Sequence, residues 1–451
     1  MAARRSVLRW LMVLIVCLPG LTSAQGAPPQ PAPPSAFDAT RVRVGLSLRK
    51  PVTTARIQAL RGTCRYVLSP IPAASGTDPL LSQERSGKIA EEEDLTFQVT
   101  HRGLTVRTSE GAEYAEGFGK MVVSSDGVFN LEVYNLSPLI LSGRLEITLL
   151  DDGTVGLVNE TTIGEIIRSA VSEISPSPEI EANKAFIVMA RTRLKAALEQ
   201  KRHASDTFDL CNTDHCLPFH GQGSNRELIE ILYQDMPDFV MTAQGKVFLP
   251  YYHECCGGKV SSAKDVFGID DPIHVAREDR IVGKGSENCF HSSSFYWTRE
   301  FSQEEMADFL SVTFAGGGTR IFLRWDPIKT DAAGRITEVR LFGRRERKMR
   351  GVDFLEAAWD YFGINSLKSM RFTLEPMRRT TIYRGMGRGH GVGCCLMGAD
   401  GLAKKGWSFE DILKFYFAGI TLTKASGGPG PATASPPAGP SSPRKPARPR
   451  R

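Results

Sequence analysis

Two glutamates, Glu173 and Glu181, stand eight residues apart around a Ser-Pro turn, in the run Glu173-Ile174-Ser175-Pro176-Ser177-Pro178-Glu179-Ile180-Glu181. A pair of carboxyl groups can do acid–base work if one of them holds its proton near neutral pH, which favours a partly desolvated setting. Glu181 falls in the first turn of a helix, with Ala185 and Val188 on the same face at i+4 and i+7. That apolar face suits a proton donor. The helix N-terminus and Lys184 at i+3 pull the other way, since each attracts a carboxylate. The competing reading is an ordinary first-turn acid that complements the helix dipole. Glu173 is the second candidate: either a cleft residue that approaches Glu181 across the turn, or a solvated acid at a helix end.

His203, Cys211, His215 and Cys216 place two imidazoles and two thiols within fourteen residues. Such a set can close a tetrahedral zinc shell. A Cys211–Cys216 disulfide with incidental histidines fits the same residues, and either arrangement would pin the loop after the Glu181 helix. Gly385, Gly387, Gly389, Gly391 and Gly393 alternate around His390, letting the backbone approach a ligand or a strand closely. His390 then either lines a cleft or sits satisfied in a tight loop. Cys255 or Cys256 is placed to pair with Cys289, and the adjacent Cys394 and Cys395 read as packed or bonded thiols. A Cys395–His390 dyad is poorly supported by two residues so close on one loop.

These groups need positioning elements. Val42, Val44, Leu46 and Leu48 alternate as a strand does, and further β-like runs follow, including Gly143 to Leu150 before an Asp152-Gly153 turn. The segment from about 40 to 160 is therefore expected to be mostly β. Ile163, Ile166, Ile167, Ala170, Val171 and Ile174 recur at helical spacing. Ser177 can cap a second helix with Pro178 at its first position, running from Glu179 to Gln200. Strands are expected over 246–251, 319–325 and 338–342. Ser302 to Glu305 spells a capping box, and Ser408 can cap a last helix.

The ends are of a different kind. Arg4, Arg5 and Arg9 precede an apolar run, Trp10 to Leu21, and small residues to Ala24. This predicts a signal peptide over 1–24 and an exported protein of the periplasm or cell envelope. Without Cys17 eight cysteines remain, an even number that favours disulfides after export. Residues 25–39 are Pro-rich and read as a linker. Residues 424–451 read as a disordered basic Pro/Ala-rich tail. Three basic residues near the start and five after Lys424 account for eight positive charges of a chain whose net charge is +6, leaving the body at about −2. That balance argues against nucleic acid as a partner.

The chain resembles the stage II sporulation protein D and amidase enhancer family in an ordered set of segments. They are Glu173 through Glu181, Ala182, Lys184, Ala185 and Ala190 to Thr192; Phe208–Cys211 to Gly221; Cys256-Gly257-Gly258; and Gly389-His390-Gly391-Val392-Gly393 with Gly398, Ala399, Ala403 and Gly406. The resemblance spans about 40–423. It implies a peptidoglycan lytic transglycosylase that cleaves MurNAc–GlcNAc bonds without water, with Glu181 as general acid and base. Glu173, Lys184, Arg191, His390 and Gly391 would support it. It also implies a structural zinc on His203, Cys211, His215 and Cys216, glycan strands as substrate and a cell-wall amidase as partner. Three positions depart from the family pattern: Leu217 and Leu396 replace glutamines, and Arg193 replaces a tyrosine. A wall-binding protein that enhances an amidase and cleaves nothing is the alternative. The expected fold is α+β, a β-rich single extended domain over 40–423 with a catalytic helix and a Gly-rich C-terminal loop, its mostly β part at 40–160 and its catalytic part at 161–423.

Overall fold

The computed structural model describes residues 35–426 apart from 49–50, 72–82, 110–112, 175–176, 224–225, 235, 282–284, 316–321 and 344–345. The expected signal peptide, residues 25–34 of the expected linker and the tail from residue 427 lie outside the described residues. The folded chain starts inside the stretch read as linker: Ser35 to Thr40 turns back on itself, and Asp38 is buried.

The alternating runs form one large sheet from β1 (Arg41–Gly45), β2 (Thr54–Arg61), β3 (Cys64–Pro70), β4 (Arg85–Ile89), β5 (Asp94–Thr100), β6 (Gly103–Thr108), β7 (Glu113–Val133), β8 (Leu139–Leu149), β9 (Val155–Thr162) and β10 (Leu210–Cys211). Its order is β10-β1-β9-β8-β7-β2-β5-β6, with β3 and β4 branching off β7. The 21 residues of β7 make this possible. One edge pairs with β6 in its first part and with β8 beyond, while the other meets β3 and then β2. The pairings β7–β2, β2–β5, β5–β6 and β6–β7 close a ring. The period-two pattern turns Ile57, Leu95, Phe97, Leu104, Val106, Met121, Val123, Leu145 and Ile147 inward, and all are buried.

The helices are α1 (Ile163–Ile174), α2 (Ile180–Glu199), α3 (Arg226–Gln234), α4 (Ala263–Phe267), α5 (Gln303–Ala315), α6 (Gly351–Phe362), α7 (Leu396–Lys404) and α8 (Phe409–Tyr416). None of the described helices is long and apolar enough to cross a membrane. Helix α2 runs through the main core, where fourteen of its twenty residues are buried. A second core, around Trp297, Phe309, Trp325, Leu341, Phe354 and Tyr383, lies between α5, α6 and small antiparallel sheets. The protein is α+β, and its described residues fall within one compact unit.

Local signals held in detail at two helix starts. Ser302 accepts from Glu305 N while Glu305 accepts from Ser302 N, at 3.0 and 2.8 Å. Ser408 caps α8 through Asp411 N at 3.2 Å. The start of α2 differs from expectation. The helix opens at Ile180, its N-cap is Glu179, and no side chain caps it. Ser177 is engaged elsewhere: it accepts from Glu179 N and donates to Asp400, while the Asn183 amide clips both backbone groups of Ser177. The strand expected over 246–251 shrinks to Lys246–Val247, since Pro250 has no N–H for a ladder. None of the eight described cysteines is in a disulfide, and all eight are buried.

One ion pair ties α2 into the fold. Arg191 Nε and Nη2 donate to the two oxygens of Asp38, each at 3.0 Å, and Nη1 donates to the carbonyls of Pro237 and Phe239. The two side chains are 1% and 3% exposed. Removing one partner of such a pair leaves an uncompensated buried charge, a loss of about 3–5 kcal/mol. Arg191→Ala should destabilise the chain by that order in urea unfolding. A change below about 1 kcal/mol, usual for an exposed pair, would refute this role.

Candidate functional site

The two glutamates end up in opposite electrostatic settings. Glu181 lies in the first turn of α2, at its positive end. Both of its oxygens are occupied: Oε1 accepts from Lys184 Nζ at 2.8 Å and Oε2 from Phe409 N at 2.7 Å. The second bond uses one of the N–H groups that the start of α8 leaves unpaired. Glu181 therefore staples the starts of α2 and α8, and Lys184 is its ion-pair partner.

Glu173 lies in the last turn of α1, where the negative end of the helix dipole disfavours a further negative charge. It lines a cleft of about 650 Å³ with Ser47, Leu48, the 135–140 turn, Asn212, His220 and Gln222. Burial raises its carboxyl above the ordinary glutamate range, against the lowering pull of His220. The Oε2 atom is 3.9 Å from His220 Nε2. The lining mixes amides and hydroxyls with Leu48, Leu136, Pro138 and Leu139, a combination that suits a sugar's polar edge and apolar face. His220, Asn212 and Gln222 were not singled out from the sequence. The available signal was the polar run His220-Gly221-Gln222 directly after the buried Phe219. Gly221, with φ +83°, packs on Ile140 and turns that run toward the sheet.

The four Cys and His residues after α2 come together, with their ligand atoms all within 4.8 Å of one another. His203 Nε2 is 3.2 Å from Cys216 Sγ and 3.2 Å from His215 Nδ1, and Cys211 Sγ is 3.6 Å from His215 Nδ1. Asp206 accepts from the other nitrogen of His203 at 2.7 Å, as a carboxylate does when it orients a metal-binding imidazole. Two nitrogens, two sulfurs and that outer carboxylate fit tetrahedral zinc. The loop they hold carries Asn212 and, four residues on from Cys216, His220 into the cleft.

Residues 151–249, which carry both glutamates and all four of these ligands, match the family model described as stage II sporulation protein, SpoIID. This segment belongs to the SpoIID family. A protein of Brachyspira hyodysenteriae, itself uncharacterised, is 26% identical to this chain over 330 residues, which span 72% of the chain and 82% of that relative. The family points to a cell-wall-related role and is consistent with action on peptidoglycan.

Other residues implicated from the SpoIID resemblance sit away from the cleft. Arg191 is sealed in the core against Asp38. Leu217 and Leu396 are buried in the main core too, and neither lines the cleft. His390 packs against the rings of Tyr251, His253 and Phe267, and its Nδ1 accepts from Val392 N at 3.1 Å. Burial, and then Arg335 and Arg193, push its imidazole down to about 3, so it is neutral at physiological pH. None of its contacts is to Glu173 or Glu181.

Gly391 has a packing role. Its φ is +80°, and a Cβ there would stand 2.1 Å from the Arg335 guanidinium. Arg335 is 2% exposed and held by Ser261 and the Gly389 carbonyl, so it has no room to withdraw. Gly391→Ala should therefore lower stability by at least ~1 kcal/mol, seen as a lower melting temperature. An unchanged melting temperature would mean that the loop relaxes freely.

Proposed function

We propose that this protein is an exported peptidoglycan lytic transglycosylase whose acid–base group is Glu173. The observation that carries the assignment is the contrast between the two carboxyls. Glu173 faces the cleft, where desolvation raises its pKa, whereas both oxygens of Glu181, which is about as exposed, are taken up by hydrogen bonds. One carboxyl group suffices for the reaction. Protonated Glu173 gives its proton to the bridging oxygen of the MurNAc–GlcNAc bond as the C1–O bond breaks. The resulting carboxylate then takes the proton of the same sugar's 6-hydroxyl, whose oxygen attacks C1 and closes a 1,6-anhydro ring. No water is consumed, unlike hydrolysis by two carboxylates. His220, 3.9 Å away, is placed to steady the carboxylate between the two transfers.

Glycan strands purified from cell walls, digested and analysed by mass spectrometry, test this. Glu173→Gln should abolish anhydro products while the fold survives. Glu181→Gln should keep most of the turnover and lower the melting temperature, because it weakens the α2–α8 staple. The reverse pattern would return the acid to Glu181. Binding of glycan without any anhydro product from the unmodified protein would favour the non-catalytic, amidase-enhancing reading. The pH dependence has a definite sign. The reaction needs protonated Glu173, so kcat/KM should fall as pH rises through its raised pKa. Glu181→Gln, which leaves Glu173 in place, should retain that alkaline limb.

We further propose that His203, Cys211, His215 and Cys216 hold one structural zinc. A bound ion would supply no chemistry to the cleavage; it would fix the loop that brings Asn212 and His220 to Glu173. The purified chain should carry one zinc equivalent at this set, lost in His215→Ala, and chelation should lower the melting temperature. A Cys211–Cys216 disulfide in metal-free protein would overturn this.

A further inference from the structure

A second cluster of metal-ligating side chains lies in the C-terminal half, outside both sites described above. Cys256, Asp279, Cys289 and Cys395 come from four separate segments, and all are buried. Cys256 follows the strand Tyr252–His253 and precedes Gly257 and Gly258, whose φ angles are +71° and +101°. Asp279 follows the strand Arg277–Glu278, and Cys289 sits in a turn. Cys395 ends the strand Cys394–Cys395, which pairs in parallel with Tyr252–His253, and is the N-cap of α7. Three thiols and one carboxylate thus converge, with their ligand atoms all within 4.8 Å of one another.

We propose that these four residues form a closed structural site for one zinc ion, separate from the Cys/His site on the loop after α2. Three observations support it. First, the spacing suits a shared ion. Two thiolates on a tetrahedral zinc lie about 3.7–3.8 Å apart, given Zn–S bonds of about 2.3 Å. The Cys256 and Cys289 sulfurs are 3.5 Å apart, whereas a disulfide needs about 2.05 Å.

Second, the surrounding donors are arranged for thiolates. Cys395 Sγ accepts from Cys256 N at 3.2 Å and from Gly398 N at 3.3 Å, at the positive end of α7. Cys256 Sγ accepts from Gly258 N at 3.2 Å. Backbone donors of this kind orient and stabilise metal-bound sulfur.

Third, Asp279 is a buried acid with no ion-pair partner among the described residues. Its Oδ1 accepts from Tyr416 Oη at 2.8 Å and Asn288 Nδ2 at 3.1 Å. Among the described residues its Oδ2 accepts a hydrogen bond only from the Cys256 thiol, at 3.0 Å. A Cys256–Cys289 disulfide would leave that carboxylate and the doubly hydrogen-bonded Cys395 unexplained, whereas one divalent ion engages all four groups. Three soft sulfurs with one oxygen, buried and with no open position, select zinc over calcium or magnesium.

The test uses the full chain purified without chelator or reductant. Elemental analysis of the unmodified protein should find two zinc ions per chain. Cys289→Ser should lose one, and His215→Ala should lose the other. Cys64→Ser, which removes a buried thiol from β3 outside both clusters, should lose none. Unchanged zinc in Cys289→Ser would overturn the proposal. Because that variant is exposed to misfolding, alkylation of the unmodified chain decides independently. Cys256, Cys289 and Cys395 should resist alkylation until chelator is added and then all react. A Cys256–Cys289 disulfide mapped in the unmodified chain, or three freely reactive thiols without chelator, would also overturn it.

Discussion

A helix buried on nearly every side must satisfy each charge it carries, and α2 carries two buried guanidinium groups two residues apart, Arg191 and Arg193. Burying an unpaired charge in a packed interior is prohibitive, so each guanidinium collects partners from distant segments. Arg191 takes Asp38 ahead of β1 and the carbonyls of Pro237 and Phe239. Arg193 takes the carbonyls of Asp214, Cys216 and Pro250. Between them they fix the entry of the chain into the large sheet, the Cys/His loop and the start of the C-terminal half. The departure of Arg193 from a family tyrosine thus has a structural sense: its planar fork of donors can bridge three carbonyls where a tyrosine hydroxyl could not.

From that anchored helix the two glutamates acquire their different characters. They flank the same turn, but one closes α1 and the other opens α2. The end of α1 offers no backbone donors, so Glu173 is left facing the cleft and His220. The start of α2 meets the start of α8, and Glu181 is consumed by the donors gathered there. A short spacing on the chain therefore gives two carboxyls opposite environments, the usual way in which similar acids are given different duties.

What the sequence made legible follows from the range of each interaction. Period-two and helical patterns, the Ser302–Glu305 capping box and the Ser408 cap depend on neighbours within a few residues, and the elements they announce are present. The His203–Cys216 set spans fourteen residues and was visible as a candidate ligand shell for the same reason. What failed to show depends on contacts far along the chain. Ser177 looks like a helix cap until Asp400 takes its hydroxyl. Nothing near Glu181 in the sequence announces the bond it accepts from Phe409 N. Arg191 reads as a site residue until Asp38, 153 positions away, buries it. His220 carried no periodic signal, and only the position of β8 against Gly221 gives it a place in the cleft.

The C-terminal half poses a problem that its cysteines address. Much of it is built from two-residue strands: Lys246–Val247, Tyr252–His253, Lys259–Val260, Arg277–Glu278 and Cys394–Cys395. Such short ladders contribute few hydrogen bonds, and irregular chain between them loses conformational entropy on folding with little apolar burial in return. A cross-link joining segments far apart in sequence offsets that loss, and it does so most where the loops it closes are long. Cys256, Asp279, Cys289 and Cys395 lie on four such segments, and Tyr416 of α8 reaches the same carboxylate. The start of α8 is in turn held by Glu181. The proposed zinc cluster and the α2 core therefore brace the same helix from two sides, so loosening either would be felt at the other through α8.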